Sequence, residues 1–308
     1  MLHISHQTTL KKQLVWAGAG LVAIGAVIAI SIGLTIQTHA IGTGTNVVYV
    51  TPSDTQGWTS AAPLADTRAN GSVSFVADAN TPYGTAALRL ATGDNTVVDG
   101  QMQDKVQYMK AANMPLSSIT GLGYSTKQVA ASFTAGLPSF QLPVCLEGFN
   151  TTTNNCNVVP GTTQSSFTTL VYEPYIDQGN TAVLQNTWQT WNVSTGKLWS
   201  SRTVDGLVST QGSTTYLLSD LQAQFPNATL LAFGVDVGSN NPNYDTRVDG
   251  VVVNNTLYDF ELTAPVTKPV PTDKNQCKDG GWMNLFETDG SAFKNQGQCV
   301  SYVMSDRQ

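Results

Sequence analysis

From Trp58 to Leu262 the chain alternates short apolar runs with clusters of Gly, Pro, Asn, Asp and Ser. "SVSFVAD" keeps a two-residue period, and "AALRLAT" follows a "TPYG" turn. "SFQLPV" and "TTLVYEPY" read as strands ended or weakened by a proline, and "NTWQTWNV", "KLWSSRT" and "ATLLAFGVDV" continue the series. "TRVDGVVV" and "TLYDFEL" flank Asn254-Asn255, which suits a two-residue hairpin turn. One helix is expected in "SDLQAQF", with Ser219 as cap and Gln222 at the capping-box position. So many short strands with turn signals between them predict an all-β fold, a sandwich or a barrel.

The pattern breaks at both ends. From Leu14 to Ile36 no charge interrupts an apolar run long enough to cross a bilayer core of about 30 Å. Lys11 and Lys12 precede it, and the next charge is Asp54, so the predicted topology is N-terminus in, remainder out. The run exceeds the usual core of a signal peptide, which favours an uncleaved anchor. Thr38-His39-Ala40 nevertheless offers a small-x-small cleavage site, and secretion after cleavage near Ala40 is the competing reading. Residues 1–40 are thus a stub and membrane segment, 41–57 a tether, and 58–262 the β-domain. "TAPVTKPVPTD" makes 263–273 a stiff proline-rich linker. Residues 274–308 form a separate unit, too small for a core of its own and suited to a disulfide staple.

Composition changes the picture in two ways. Charged residues are 12% of the chain, against a typical value of about 25%, and the formal net charge is −6. No basic run occurs beyond Lys11-Lys12, so a nucleic-acid partner is excluded. Export would also make Cys145, Cys156, Cys277 and Cys299 disulfide-formers, and spacing suggests the local pairs Cys145–Cys156 and Cys277–Cys299.

Several stretches carry a resemblance: Trp58, Asp66 and Arg68 at the start of the β-domain, then "LVYEPY", "TWQTW" and "VDGVVV…YDFE". The most specific is the tail, with Lys274, Gln276, Cys277, Lys278, Gly280, Gly281, Trp282 and then Phe293 to Ser301, interrupted here by "ETDGSA" before Phe293. In these the chain resembles a group of exported bacterial proteins of unassigned function over most of residues 58–301. The resemblance implies an extracellular antiparallel β-sandwich similar to carbohydrate-binding jelly rolls, and it carries no active site.

The chemistry left open is narrow. His3, His6 and His39 are the only histidines and all precede the β-domain, so histidine-based triads and zinc catalysis are excluded there. Ser194 and Lys197 have bare S-x-x-K spacing but read as the turn "NVSTGKL". Glu173 alternates with Val171 and Tyr175, whereas Asp259 and Glu261 share a strand face that reads as solvated, with Tyr258, Phe260 and Leu262 toward the core. A pair of such acids would suit glycoside hydrolysis. Asp236, Asn241, Asp245 and Asp249 offer hard oxygen donors for a structural calcium ion, or simply favour turns. Trp188 falls among Thr190 and Asn192 on a polar face, while Trp191 shares a face with Val193. Trp188, Glu173, Tyr175 and Asn192 are therefore the expected ligand-binding set, with glycan or cell-envelope polymer as ligand. Trp282, Phe286 and Phe293 read either as the tail's own packing or as a docking surface. The expected function is non-enzymatic binding at the cell surface, with a structural envelope role or a carboxylate-dependent glycoside hydrolase as alternatives.

Overall fold

The structure is a computed structural model that describes residues 46–265, 269–288 and 291–305. The membrane segment at 14–36, the cleavage site near Ala40 and the three histidines lie outside the described residues. Among the described residues no helix is long and apolar enough to cross a membrane.

Two sheets form a β-sandwich. The seven-stranded sheet contains β1 (Asn46–Val50), β3 (Gly71–Ala77), β4 (Ala86–Thr92), β8 (Leu122–Ala130), β13 (Gln189–Asn192), β16 (Asp245–Val253) and β17 (Thr256–Phe260). The six-stranded sheet runs β14 (Leu198–Ser200), β12 (Phe167–Tyr172), β9 (Ser139–Cys145), β15 (Thr229–Val237), β7 (Val106–Pro115) and β2 (Trp58–Thr59). Two small ribbons, β5 (Val97–Val98) with β6 (Gln101–Met102) and β10 (Phe149–Asn150) with β11 (Asn155–Cys156), decorate the edges. All but one of the strand pairings are antiparallel; β1 runs parallel to β17. The segment expected as a tether over 41–57 is therefore strand from Asn46, because Val47 and Val48 complete the edge that β17 would otherwise leave open.

The sheets meet through aromatic rings. Trp58 of the six-stranded sheet stacks on Tyr108 at 5.6 Å and meets Phe260 of the other sheet edge-on at 5.3 Å. Tyr124 of the seven-stranded sheet meets Phe140 at 5.3 Å and Tyr172 at 6.2 Å across the interface. Offset and edge-to-face pairs of this kind add to area burial.

Strand β16 is the axis of the larger sheet. β8 lies along one side of it, while the other side is shared end to end by β4, which pairs with 245–248, and β17, which pairs with 251–253. Between those two partners Gly250 sits at φ +59° with the Tyr83 ring where a Cβ would go, so only glycine fits. Asp249 fills the seam: its carboxylate accepts from Gly250 N at 2.8 Å, Tyr83 N at 3.1 Å and Phe260 N at 3.4 Å. Glu261 does the same for the start of β4, accepting from Thr85 N at 2.8 Å and Ala86 N at 3.4 Å. The face assigned above to solvent is thus buried: Asp259 is 5% and Glu261 4% exposed, whereas Leu262 is 43% exposed. Backbone amides without ladder partners at the seam draw Asp249 and Glu261 inward, and Asp259 is buried beside Glu261.

Other local expectations resolve as follows. Asn254-Asn255 is the two-residue turn between β16 and β17, with Asn254 at φ +57°. Pro143 lies inside β9 without ending it, because the facing strand β15 bulges between Leu230 and Gly234, where an amide partner would otherwise be required. Helix α2 (Leu218–Gln224) has no side-chain cap; Gln222 instead donates to Leu116 O and Ile119 O. The S-x-x-K segment is a turn, with Ser194 Oγ donating to Leu122 O.

Both disulfides pair locally, Cys145–Cys156 and Cys277–Cys299. The tail does assemble a small core, contrary to expectation. Cys277, Leu285, Phe293, Cys299 and Val303 are buried together, with Trp282 packed against them and helix α3 (Gln296–Ser305) closing the loop. A capping box from Asp273 and Gln276 starts it.

Two predictions follow from this packing. Trp191 is 6% exposed and its indole N–H donates to Thr126 Oγ1 at 2.7 Å, so Trp191→Ala is expected to cost about 3–5 kcal/mol in chemical denaturation. Trp188→Ala, at a half-buried position, should cost clearly less; the opposite ranking would mean the face assignment is wrong.

The acidic seam sets a pH dependence. Burial and the Asp259 charge push Asp249 up to about 8, and burial with Glu261 pushes Asp259 up to about 6. Folded values above the unfolded ones mean the native state holds the extra protons, so stability is greatest at low pH and declines as pH rises from about 4 toward 8. Asp236 in the other sheet, pushed up to about 7 by burial, adds to the decline in the same window. Unfolding free energy should fall between pH 5 and pH 8.5 by on the order of 3 kcal/mol. Asp259→Asn should flatten the decline; an unchanged slope would remove the seam as its cause.

Candidate functional site

Register in the six-stranded sheet builds a cleft on its outer face. Phe140 of β9 pairs with Tyr172 of β12 on one side and Val235 of β15 on the other, and Val235 pairs with Tyr108 of β7. These side chains point inward and are all buried. One residue along, every side chain must point outward. Ser139 pairs with Asp236, Asp236 pairs with Gln107, and Glu173 follows Tyr172 directly. Glu173, Ser139, Asp236 and Gln107 thus form a polar row across the sheet. The next outward row is Trp199, Val171, Gln141 and Gly234. At Gly234 a Cβ would stand 2.3 Å from Tyr108 O, so that end of the row stays bare.

Above these rows lies a cavity of about 410 Å³. Tyr175, Tyr244 and Phe133 wall it, and Lys105, Gln211 and Asn241 reach into it from the rim. Tyr175 comes from helix α1 (Pro174–Gln178), which begins where Pro174 stops β12; its ring meets Phe133 edge-on at 5.3 Å. Strand alternation therefore places Val171 and Glu173 on the cleft face as expected, and Tyr175 arrives from a helix.

The polar groups hold one another. Glu173 Oε2 accepts from Trp199 Nε1 at 2.9 Å and Gln211 Nε2 at 3.0 Å, and Gln211 also donates to the Tyr175 hydroxyl at 3.2 Å. Gln141 Nε2 donates to Ser139 Oγ at 2.7 Å and to Asp236 Oδ2 at 3.3 Å. Burial raises the Glu173 carboxyl, and the Gln211, Trp199 and Tyr175 hydrogen bonds pull it partly back. Asp236 is pushed up to about 7, chiefly by burial, with Lys105 and Gln107 opposing and Glu173 and Asp66 adding to the rise. Lys105 is itself paired with Asp66 at 2.9 Å.

The remaining expected ligand residues are elsewhere. Trp188 lies beside Asp78, Asn80 and Lys127 in a separate depression. The Lys127 ammonium stands 5.5 Å from the Trp188 ring centroid, and the indole N–H points at Asp78 Oδ1 at 3.4 Å. The Asn192 carboxamide accepts from Thr195 N in the turn after β13. The expected set of Trp188, Glu173, Tyr175 and Asn192 is therefore not brought together: Glu173 and Tyr175 share the cleft, whereas Trp188 and Asn192 belong to the opposite sheet. Glu261 and Glu173 belong to different sheets and make no pair.

The calcium set disperses for a similar reason. Asp236 faces the cleft, Asp245 is ion-paired with Arg89 and Arg247, Asp249 fills the seam, and the Asn241 amide donates to Gly238 O. Among the described residues no group of His, Cys, Asp or Glu is arranged to hold a metal ion. Sequence reasoning missed Trp199, Gln141 and Gln211. The one available signal was alternation in "KLWSS", where buried Leu198 and Ser200 leave Trp199 outward.

No family model matches the chain. No curated protein matches it either. Among solved structures the chain is similar to a carbohydrate-binding module specific for non-crystalline cellulose, of the type CBM28, at 12% identity and a TM-score of 0.31, covering 69% of this chain and 96% of that one. A likeness at that TM-score carries no argument about this chain.

Proposed function

We propose that the outer cleft of the six-stranded sheet binds a glycan chain, and that the protein is a glycan-binding protein displayed outside the cell. The cross-sheet rows carry this reading: they place carboxyl, hydroxyl and carboxamide groups in register beside Trp199 and Tyr175. Sugar sites combine an apolar platform with a few convergent polar groups in this way. Glu173 accepts from sugar hydroxyls, the Gln211 and Asn241 amides both donate and accept, and aromatic edges cover the ring faces. Charge selects a neutral chain. An anionic sugar would face Glu173, and the nearby cation Lys105 is already matched by Asp66. Display outside the cell is supported by the uncharged run at 14–36 and by the two disulfides. A jelly-roll-like arrangement of the sandwich belongs to the same proposal.

The test is affinity electrophoresis or calorimetry against neutral polysaccharides. Trp199→Ala and Glu173→Ala are expected to weaken binding by about 1–3 kcal/mol each, and Trp188→Ala to leave it unchanged. Loss of binding on Trp188→Ala alone would move the site to the opposite sheet.

A further inference from the structure

We propose that Glu173 and Asp236 form an acid–base pair that hydrolyses a glycosidic bond of the chain held in the cleft. The inference rests on the glycan-binding reading.

Geometry supplies the first argument. Glu173 and Asp236 stand in one outward row with Ser139 between them, so their backbones are two strand spacings, about 9.5 Å, apart. Their side chains rise from the same face. Inverting glycosidases separate their carboxyl groups by roughly 6.5–9.5 Å to admit a water, and retaining ones by only about 5–5.5 Å. A backbone spacing of that size leaves room for a water between the two side chains, the arrangement that inversion requires.

The second argument is the difference between the two environments. Burial raises the Glu173 carboxyl, and its partners Trp199 and Gln211 are donors alone, which pull it back toward the ionised form. Asp236 lines the cleft and is 7% exposed; its Oδ2 accepts from Gln141, and its Oδ1 is buried with no hydrogen-bond partner among the described residues. Such a carboxyl keeps its proton, consistent with the rise to about 7 that burial imposes. The charged and titratable groups around it are Lys105, Asp66 and Glu173, with Tyr175 and Tyr244 on the far wall. Neither acid is needed for the fold in the way Asp249 and Glu261 are, since neither carboxylate satisfies a backbone amide of a neighbouring strand.

The step balances without a cofactor. The Glu173 carboxylate takes a proton from a water whose oxygen attacks the anomeric carbon. The bond from that carbon to the glycosidic oxygen breaks, and the leaving oxygen takes the proton of Asp236. One water is consumed, a new reducing end and a new hydroxyl appear, and solvent returns the proton from Glu173 to Asp236.

The full-length protein should be incubated with amorphous cellulose, mixed-linkage β-glucan, xylan, mannan and chitin. New reducing ends are measured, with the anomeric form of the product read by NMR. The expected result is cleavage of a polymer the protein also retains, with inversion. Glu173→Gln and Asp236→Asn should each slow it by about 100- to 10,000-fold. Asp236→Asn should also abolish the fall in rate above pH 7. Retention of a polymer without new reducing ends overturns the hydrolytic inference and leaves the binding reading standing. Cleavage undiminished in both variants overturns the assignment of the pair. No retention and no cleavage on any of these polymers overturns both readings.

Discussion

The register between β12, β9 and β15 governs both halves of the molecule's chemistry. Strand side chains alternate with a period of two, so a single pairing decides which residues enter the core and which line the cleft. Tyr172, Phe140, Val235 and Tyr108 are held inward by the aromatic packing of the opposite sheet. A one-residue slip of β9 would bring Ser139 and Gln141 against those rings and expose Phe140. The cost of burying unpaired hydroxyl and amide groups there rules the slip out. The polar row of Glu173, Ser139, Asp236 and Gln107 is thus a consequence of hydrophobic packing on the other face. Nothing in the cleft itself has to specify it.

Acids serve two different ends in the two sheets. In the seven-stranded sheet Asp249 and Glu261 accept from backbone amides that the change of partner along β16 leaves without a ladder bond. Removing such an acid would strand those amides, so these carboxyls belong to the fold. In the six-stranded sheet the backbone ladder around β9 is complete on both sides except at the bulge opposite Pro143, and Glu173 and Asp236 meet side chains only. Carboxyls that satisfy no backbone group and converge on a cavity are free to serve a ligand. The distinction comes from hydrogen-bond partners and could not come from burial, since Asp236 and Glu261 are buried to nearly the same degree.

What the sequence displayed was period and punctuation. Strands β3, β4, β9 and β12 to β17, the Asn254-Asn255 hairpin, the outward Glu173 and the buried Trp191 follow from alternation between turn residues, whereas β7 and β8 were not read. The errors arose where a long-range partner overrides a local pattern. The start of β1 looks like a polar tether until β17 is there to pair with it. Asp259 and Glu261 alternate like solvent-facing residues, but Glu261 satisfies the amides of Thr85 and Ala86 on a distant strand and Asp259 is buried beside it. Trp188 and Glu173 carry equal promise in a linear reading; only sheet order shows that one follows β12 and the other precedes β13, in opposite layers. Asp236 was read as a turn or metal ligand from the Asn-rich stretch after it, whereas its place in β15 ties it to Ser139 and Gln107.

Glu173 also shows how the cleft is kept ready for a ligand. It occupies the N-cap of α1, where a carboxylate would ordinarily bend back to accept from the first turn of its own helix. No such bond is made. Its backbone carbonyl takes the helix amides of Ile176 and Asp177, and the side chain turns outward to Trp199 and Gln211. The start of the helix is left without a side-chain cap in that arrangement. The indole and carboxamide donors replace it and fix the carboxylate in one orientation over the sheet. A ligand bound as proposed would meet a side chain whose rotamer freedom is already spent, on strands that cannot shift without breaking the core beneath them, and would lose less entropy than on a loop-built site.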